Sequence, residues 1–280
     1  MNSFSSILKL IKFEHTVFAL PFAFVGLIAG LRDYPDVKTT CLILFAMIGA
    51  RTAAMGLNRL IDYPYDKKNP RSKNWGLVTG VVKKKSVWIL VFASLMILGY
   101  AAKNLNDLTW QLAPIAVLLL SMYPFTKRWG VFCHFWLGAT LACAPAGGFI
   151  AATGGWGDKV YLICLAVTFW VAGFDILYSL QDIKFDKKMK LYSIPAIYGA
   201  DKAISVSRIL HFFAALLFFL FGSAFDWSQG WIIACILMFF LLLWQHSIIS
   251  ANNIERINAA FFSANGWISI LLLLGAFMTI

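Results

Sequence analysis

Long apolar segments follow one another along the whole chain, and short polar connections separate them. Each segment has about the 20 residues that an α-helix needs to cross the hydrocarbon core of a bilayer. The pattern therefore predicts an all-α integral membrane protein with about nine transmembrane helices. The predicted spans cover residues 13–31, 40–61, 86–103, 110–125, 131–151, 160–181, 203–224, 230–248 and 260–280.

The composition supports this fold class. The chain is 60% hydrophobic and 13% charged, and its mean hydropathy is +0.75. Soluble domains carry about 25% charged residues, which excludes an ordinary soluble protein. The net charge of +11 comes from basic residues in the connections between apolar segments, so it does not indicate a nucleic-acid partner.

Basic residues are distributed unequally between the two sides of the predicted bundle. With the N-terminus inside, the cytoplasmic connections contain Lys67, Lys68, Arg71, Lys73, Lys83, Lys84, Lys85, Lys127, Arg128, Lys184, Lys187, Lys188, Lys190 and Lys202. The opposite connections contain only Arg32, Lys38, Lys103 and Lys159. Because cytoplasmic loops are enriched in Lys and Arg, we expect a multi-pass protein of the inner (cytoplasmic) membrane with this orientation.

The second predicted span ends in an acidic cluster. Asn58, Asp62 and Asp66 follow one another at intervals of four residues, so on a continuous helix they would share one face. Pro64 removes a helical hydrogen bond, so we expect the helix to end or kink near Asp62 and Asp66 to lie in the following loop. Carboxylate and amide oxygens are the ligands that Mg²⁺ prefers, so the cluster is a candidate metal site.

A second acidic cluster closes the sixth predicted span. Asp175, Tyr178, Asp182 and Asp186 have the spacing of one helical face. Asp182 follows Asp62 by 120 residues, as Asp186 follows Asp66. This correspondence suggests a diverged internal repeat in which each copy offers an acidic face to a shared cavity.

The basic residues expected near both clusters indicate what the site binds. Carboxylates alone would bind a simple cation, but Arg71, Lys127 and Arg128 at the same membrane face indicate a metal-bridged polyanion, most simply a diphosphate. In a bilayer the natural choice is a polyprenyl diphosphate, with its tail among the helices. The plain alternative is that the acidic and basic residues are solvated helix ends. The alternative from another functional class is a secondary transporter, which paired intramembrane motifs also fit.

Three residues lie deeper than the metal-binding candidates and could contact a second substrate. Arg51 precedes Asn58 by seven residues on the same helical face. It could bind the carboxylate of that substrate or simply pair with Asp175. Asp175 could orient or deprotonate the substrate, and Tyr178 would lie beside it. The small residues within 142–157 indicate either close helix packing or a groove for an isoprenoid tail.

The two acidic motifs, residues 58–66 (NRLIDYPYD) and 175–186 (DILYSLQDIKFD), resemble the two signature motifs of the UbiA superfamily of intramembrane prenyltransferases. The resemblance extends to residues 123–128 (YPFTKR), 193–199 and 260–266, and thus covers nearly the whole chain. It is strongest to the 4-hydroxybenzoate polyprenyltransferase branch. Residues 134–154 and 191–199 are most similar to members assigned to the futalosine route of menaquinone synthesis.

The chain departs from the family pattern at two places. Relatives usually have R-x-L-P-S-G after the first motif, whereas this chain has NWGLVTG at residues 74–80. Arg59 also follows Asn58 where some relatives have Asp. The first departure leaves open how this loop closes over the site.

The resemblance implies a single transmembrane domain over residues 1–280, with its helices around a central cavity. It implies that Asn58, Asp62 and Asp66 hold one Mg²⁺, that Asp182 and Asp186 hold another, and that Arg71, Lys127 and Arg128 bind the diphosphate. The implied enzyme transfers a polyprenyl group to the ring of a 4-hydroxybenzoate-like acid in ubiquinone or menaquinone synthesis. With such an acceptor, Arg51 could bind the carboxylate of the acid, and Asp175 could orient or deprotonate it beside Tyr178. Diphosphate departure leaves an allylic cation, which the aromatic ring attacks. The alternative acceptor is a dihydroxynaphthoate or another acceptor used within the family.

Overall fold

The computed structural model describes residues 16–250 and 257–280, and the described chain is helical. The helices are α1 (Thr16–Leu31), α2 (Val37–Ile61), α3 (Tyr63–Asp66), α4 (Lys84–Leu105), α5 (Asp107–Thr126), α6 (Cys133–Thr153), α7 (Val160–Ser179), α8 (Ile183–Met189), α9 (Ile194–Tyr198), α10 (Ala200–Phe221), α11 (Gln229–Ile248) and α12 (Ile257–Phe277). Two 3₁₀ turns, Leu180–Asp182 and Gly222–Phe225, follow α7 and α10. The prediction of an all-α fold is confirmed.

Seven segments in the described residues are long and apolar enough to cross a membrane, and two shorter apolar ones, Phe18–Leu31 and Ser263–Phe277, accompany them. Together they correspond to the nine predicted spans, but only seven of these segments have the length and composition of a membrane-spanning helix. Residues 13–15 of the first predicted span lie outside the described residues. The fourth span begins earlier than predicted, because the Asn106 side chain accepts a hydrogen bond from the Thr109 backbone N–H and starts the helix at Asp107.

The long helices pack side by side around a central space. α2 packs along α4, α1 along α6, α6 along α7, and α7 along α10. α11 packs against α12, which returns to α1, while α5 bridges α4 and α6. The main apolar core lies between α1, α7, α10, α11 and α12, where Trp170, Phe218 and Trp231 are buried. The central space therefore lies on the opposite side of α1 and α6, toward α2 and α5.

Close packing between α1 and α6 depends on glycine. A Cβ atom on Gly148 would lie 1.9 Å from the Ala23 backbone oxygen, and one on Gly26 would lie 2.0 Å from the Pro145 oxygen. Small residues let helix backbones approach this closely within a membrane. Gly147 and Gly148 both line the central space, but a Cβ on Gly147 would meet nothing within 4 Å. The small-residue segment therefore packs closely against α1 and also borders the central space; its role as a groove for an isoprenoid tail stays a prediction.

Both acidic motifs lie at helix breaks. α2 ends at Ile61, and Pro64 sits in the first turn of the short helix α3, where its missing N–H costs nothing. The predicted break at Asp62 is confirmed, but Asp66 lies on α3 and not in a loop. Asp182 lies in the 3₁₀ turn after α7, so the second motif is not one face of a continuous helix as predicted.

Candidate active site

Two connected cavities occupy the central space. The head cavity, about 210 Å³, lies at the helix breaks and is lined by every predicted site residue: Arg51, Asn58, Asp62, Asp66, Arg71, Lys127, Arg128, Asp175, Tyr178, Asp182 and Asp186. The tail cavity, about 620 Å³, lies deeper and is lined mainly by apolar side chains of α2, α5, α6 and α7. The cavities share Arg51, Met55, Asn58, Tyr123, Leu137 and Leu141 as lining residues. A molecule with a polar head and an apolar tail could therefore occupy both.

The tail cavity also reaches the outside of the bundle. Four of its lining side chains, Ile115 on α5, Trp156 before α7, and Tyr161 and Leu165 on α7, are exposed at the molecular surface. In a membrane this outer surface would face lipid chains. The tail cavity thus has a lateral opening.

The first acidic cluster is surrounded by hydrogen-bond donors. Asp62 accepts a hydrogen bond from Arg128 Nη2 at 3.2 Å on Oδ1 and from Asn58 Nδ2 at 3.1 Å on Oδ2. Arg128 also donates to the Ile61 backbone oxygen at 3.1 Å, at the open end of α2. Asp66 forms an ion pair with buried Arg59 at 3.5 Å. The structure thus brings residues of α2 and α3 together with the end of α5.

The second acidic cluster has the same character. Asp182 pairs with Arg71 Nη2 at 2.7 Å, and Arg71 also lies over the Tyr178 ring, 5.2 Å from its centroid. Asp186 lies 3.9 Å from Lys127 Nζ and accepts a hydrogen bond from Ser193 Oγ at 2.9 Å. Carboxylates and basic side chains from distant parts of the chain therefore alternate around the head cavity.

Burial and neighbouring charges shift several pKa values at the rim of the site. The pKa of Asp62 is raised to about 6, mainly because burial disfavours its charged form and further because Asp66 repels it, against the attraction of Arg128. Burial also raises the pKa of Asp66, while Arg59 opposes the rise. Burial alone would lower the pKa of Lys127, but nearby carboxylates, Asp186 first, outweigh it and raise that pKa.

The donor atoms of the head cavity fit a hard divalent cation. Both clusters present carboxylate oxygens to one space, and the amide of Asn58 lies beside Asp62. Among the described residues, no three His, Cys, Asp or Glu side chains are grouped closely enough to hold a metal ion by themselves. A cation here would therefore use one or two carboxylates and complete its shell with ligand oxygens, as Mg²⁺ does with phosphates.

Arg51 and Asp175 do not form the pair that was one alternative of the sequence analysis. Arg51 has no hydrogen bond or ion pair within the described residues, and its buried Nε atom has no partner. Asp175 instead accepts a hydrogen bond from His134 Nδ1 at 2.7 Å. Arg51 thus places a guanidinium group at the boundary of the two cavities with its hydrogen bonds available.

Three residues of the site were missed by sequence reasoning. His134 lies in an apolar run where it resembles a packing residue, and the only signal was a polar side chain within a span. Ser193 was noted only as part of the family resemblance. Arg59 was noted as a departure from relatives, and its guanidinium lies 3.8 Å from the Trp75 ring centroid. Trp75 belongs to the unusual loop, so the two departures from the family pattern contact each other.

The fold and the site together define a class: a multi-pass helical membrane protein with a charged head cavity above an apolar tail cavity. The model of the UbiA prenyltransferase family matches residues 19–271. The chain therefore belongs to the UbiA prenyltransferase family.

Individual relatives agree with this assignment. The chain is 26% identical to a protein named 4-hydroxybenzoate octaprenyltransferase from Vesicomyosocius okutanii, over 91% of this chain and 93% of the relative. A UbiA homologue from Aeropyrum pernix K1 has a TM-score of 0.86 and 31% identity, over 94% of this chain and 96% of that one. A UbiA homologue from Archaeoglobus fulgidus bound to DMAPP and Mg²⁺ has a TM-score of 0.76 and 20% identity, over 98% and 99% of the two chains. The last likeness concerns the fold alone.

Proposed function

We propose that this protein transfers a polyprenyl group from a polyprenyl diphosphate to the ring of a small aromatic acid, as a membrane enzyme of respiratory quinone synthesis. The observation that carries the proposal is the junction of a charged head cavity with an apolar tail cavity, which together fit a diphosphate and its isoprenoid tail. Relatives named 4-hydroxybenzoate octaprenyltransferase support 4-hydroxybenzoate as the acceptor. A dihydroxynaphthoate is the alternative acid to compare.

The carboxylates require a cation before a diphosphate can bind. An anion 4 Å from a carboxylate is repelled by about 4 kcal/mol at an effective dielectric constant of 20. Asn58, Asp62 and Asp66 would hold one Mg²⁺, and Asp182 and Asp186 another. Bound there, Mg²⁺ would supply positive charge against the developing charge of the leaving diphosphate.

The chain's own residues then have distinct tasks. Arg71, Lys127 and Arg128 bind and neutralise the diphosphate with charge-assisted hydrogen bonds. Arg51, whose hydrogen bonds are available at the cavity boundary, binds the carboxylate of the acid and orients its ring. Tyr178 lies beside the ring, and the apolar walls of the tail cavity keep water from the allylic cation.

We further propose that residues 1–280 form one transmembrane domain whose head cavity opens to the cytoplasm from the cytoplasmic membrane. The family match over residues 19–271 and the return of α12 to α1 support the single domain. The excess of Lys and Arg in the connections at the head-cavity end supports the orientation.

The deciding experiment incubates the purified, lipid-reconstituted protein with labelled polyprenyl diphosphate and a panel of aromatic acids, and identifies the product. We expect prenylation that requires Mg²⁺ and stops with excess EDTA. Asp62→Ala and Asp182→Ala should abolish turnover while the protein stays in the membrane. Asp226→Ala, which removes a carboxylate paired with Arg32 away from both cavities, is the control and should retain turnover. Full turnover in EDTA, or no prenylated product from any acid, would contradict the proposal.

A further inference from the structure

The two oxygens of Asp175 have different environments. Oδ2 accepts the hydrogen bond from His134 Nδ1 at 2.7 Å, while Oδ1 has no hydrogen-bond donor within the described residues. The side chain is 15% exposed and lines the head cavity. One oxygen is therefore anchored, and the other is free to accept a proton from a bound molecule.

The hydrogen bonds of His134 define its proton. The ring is fully buried, and its Nε2 atom lies 3.2 Å from the Ile194 backbone nitrogen. Because a backbone N–H can only donate, Nε2 is the acceptor and carries no proton. The ring proton is then on Nδ1, which donates it to Asp175. A neutral imidazole in this tautomer orients the carboxylate without neutralising its charge.

Asp175 differs in this respect from the other acidic residues of the head cavity. Each of the four motif carboxylates lies within 4 Å of an arginine or lysine nitrogen: Asp62 of Arg128, Asp66 of Arg59, Asp182 of Arg71 and Asp186 of Lys127. Within the described part of the chain, the one basic side chain paired with Asp175 is the imidazole of His134. Among the carboxylates that line the described cavity, Asp175 is therefore the one without an arginine or lysine nitrogen within 4 Å, and no such cation opposes its uptake of a proton.

The position of Asp175 also suits an acceptor ring. The side chains of Asp175, Arg51 and Tyr123 all line the head cavity, whose volume is about 210 Å³. An acid whose carboxylate is bound by Arg51 would therefore place its ring near Asp175. A general base must lie within hydrogen-bond reach of the proton it abstracts.

We propose that Asp175 is the general base of the prenyl transfer and that His134 is the positioning residue that directs Asp175 Oδ1 at the ring; this inference rests on the function proposed above. The C1–O bond of the polyprenyl diphosphate breaks, and its electron pair leaves with the diphosphate. The ring carbon forms a bond to C1. The C–H bond at that ring carbon then breaks, its proton moves to Asp175 Oδ1, and its electron pair restores the aromatic ring.

One short backbone segment, residues 192–194, connects His134 to the diphosphate side of the cavity. Ser193 donates its hydroxyl to Asp186, and the next residue, Ile194, donates its N–H to His134. Tyr192 in turn donates its N–H to the Lys127 backbone oxygen at 2.7 Å. The segment 192–194 therefore links His134, the partner of the base, to two residues of the proposed donor site.

The test measures the kinetic isotope effect with 4-hydroxybenzoate deuterated at both ring carbons beside the hydroxyl. It compares the wild-type protein with Asp175→Asn, each as the lipid-reconstituted full chain. In Asp175→Asn we expect kcat to fall by about a hundredfold or more, the contribution typical of a general base. The KM for the polyprenyl diphosphate should change little. The isotope effect on kcat should be larger than in the wild-type protein, because loss of the base slows the step that breaks the C–H bond.

His134 provides the second arm of the test. His134→Leu removes both hydrogen bonds and should lower kcat and enlarge the isotope effect in the same direction. His134→Gln offers an amide donor to Asp175 and a carbonyl to Ile194, so it should recover most of the lost turnover. A merely structural role of His134 would not alter the isotope effect.

The outcomes separate this inference from the proposed function. A wild-type protein that does not prenylate 4-hydroxybenzoate would overturn the function itself. With an active wild type, Asp175→Asn that keeps more than about a tenth of the turnover, or loses it with an unchanged isotope effect, would overturn the role of Asp175. His134→Leu with an unchanged isotope effect would overturn the role of His134.

Discussion

Arg51 places a guanidinium group at the boundary of the head and tail cavities, two turns deeper than Asn58 on α2, and no side chain of the described residues pairs with it. A buried cation without a partner is costly, so we expect it to receive the carboxylate of the acceptor. Arg51→Lys keeps the charge but loses the two-pronged geometry that matches a carboxylate. The loss of one charge-assisted hydrogen bond, about 1.5–3 kcal/mol, should raise the KM of the acid by about ten- to a hundredfold.

The same variant should bind the donor normally, since Arg51 lies below the residues expected to hold the diphosphate. Steady-state kinetics with each substrate varied in turn measures both constants. Phenol offered in place of the acid is a useful control, because it lacks the carboxylate and should be used equally by both proteins. An elevated KM for the diphosphate alone would assign Arg51 to the donor.

At the level of single residues, spacing was enough to predict which oxygen-bearing side chains line the head cavity. Asn58, Asp62 and Asp66 recur at helical intervals. They still line one cavity after the helix break, because a single residue, Asp62, separates α2 from α3. Partners could not be predicted in the same way. Arg128 meets Asp62 across 66 residues, and His134 meets Asp175 across 41, so both contacts depend on how helices are arranged in space.

On the scale of elements, two adjacent glycines of α6 have different surroundings. Gly147 borders the tail cavity, and a side chain there would enter open space. We expect Gly147→Phe to shorten the tail cavity, so that turnover with long polyprenyl donors falls at least tenfold while dimethylallyl and geranyl donors are affected little. Turnover measured over a series of donor lengths checks this expectation.

Gly148→Ala is the matched control for this effect. Its Cβ would collide with the Ala23 backbone of α1, so it should lower thermal stability and reduce turnover with every donor alike. A loss at Gly147 that is independent of chain length would mean that the donor tail lies elsewhere.

The loop after the first motif is fastened by Trp75, which stacks on Arg59. Such a cation–π contact contributes about 0.5–2 kcal/mol to stability, and the larger values apply where water is excluded from the contact. Trp75→Leu should therefore loosen the loop that carries Arg71. We expect faster limited proteolysis within residues 67–83 and a KM for the polyprenyl diphosphate raised several-fold. Trp88→Leu, on the exposed face of α4, is the control and should change neither; an unchanged cleavage rate in Trp75→Leu would contradict the fastening role.

Elements were predictable where hydrophobic length decides them. The long helices follow from apolar runs, and Pro64 correctly predicted the end of α2. The 3₁₀ turn at Leu180–Asp182 carries no such signal, because neither proline nor glycine marks it. The chain leaves helical geometry there to turn Asp182 toward Arg71, a contact between distant segments that local pattern cannot encode.

For the molecule as a whole, the packing of the helices brings together residues that lie far apart in the sequence. The motif ends of α2, α5 and α7 meet at one end of the bundle, as the repeat-like spacing of the two motifs suggested. Hydropathy could predict how many apolar segments follow one another. It could not predict that α12 closes the bundle on α1, because that contact joins opposite ends of the chain.

The lateral opening of the tail cavity makes the surrounding lipid a reactant reservoir. A donor that enters between lipid chains is counted per lipid molecule, so its effective concentration is a mole fraction in the membrane and not a molarity in the tube. At fixed amounts of enzyme and polyprenyl diphosphate, adding empty carrier lipid to the vesicles should slow turnover in proportion to the dilution. Adding buffer should change it little once the acid is saturating. Rates measured over a grid of the two dilutions check this, and a rate that follows buffer volume alone would mean that the donor reaches the site from water.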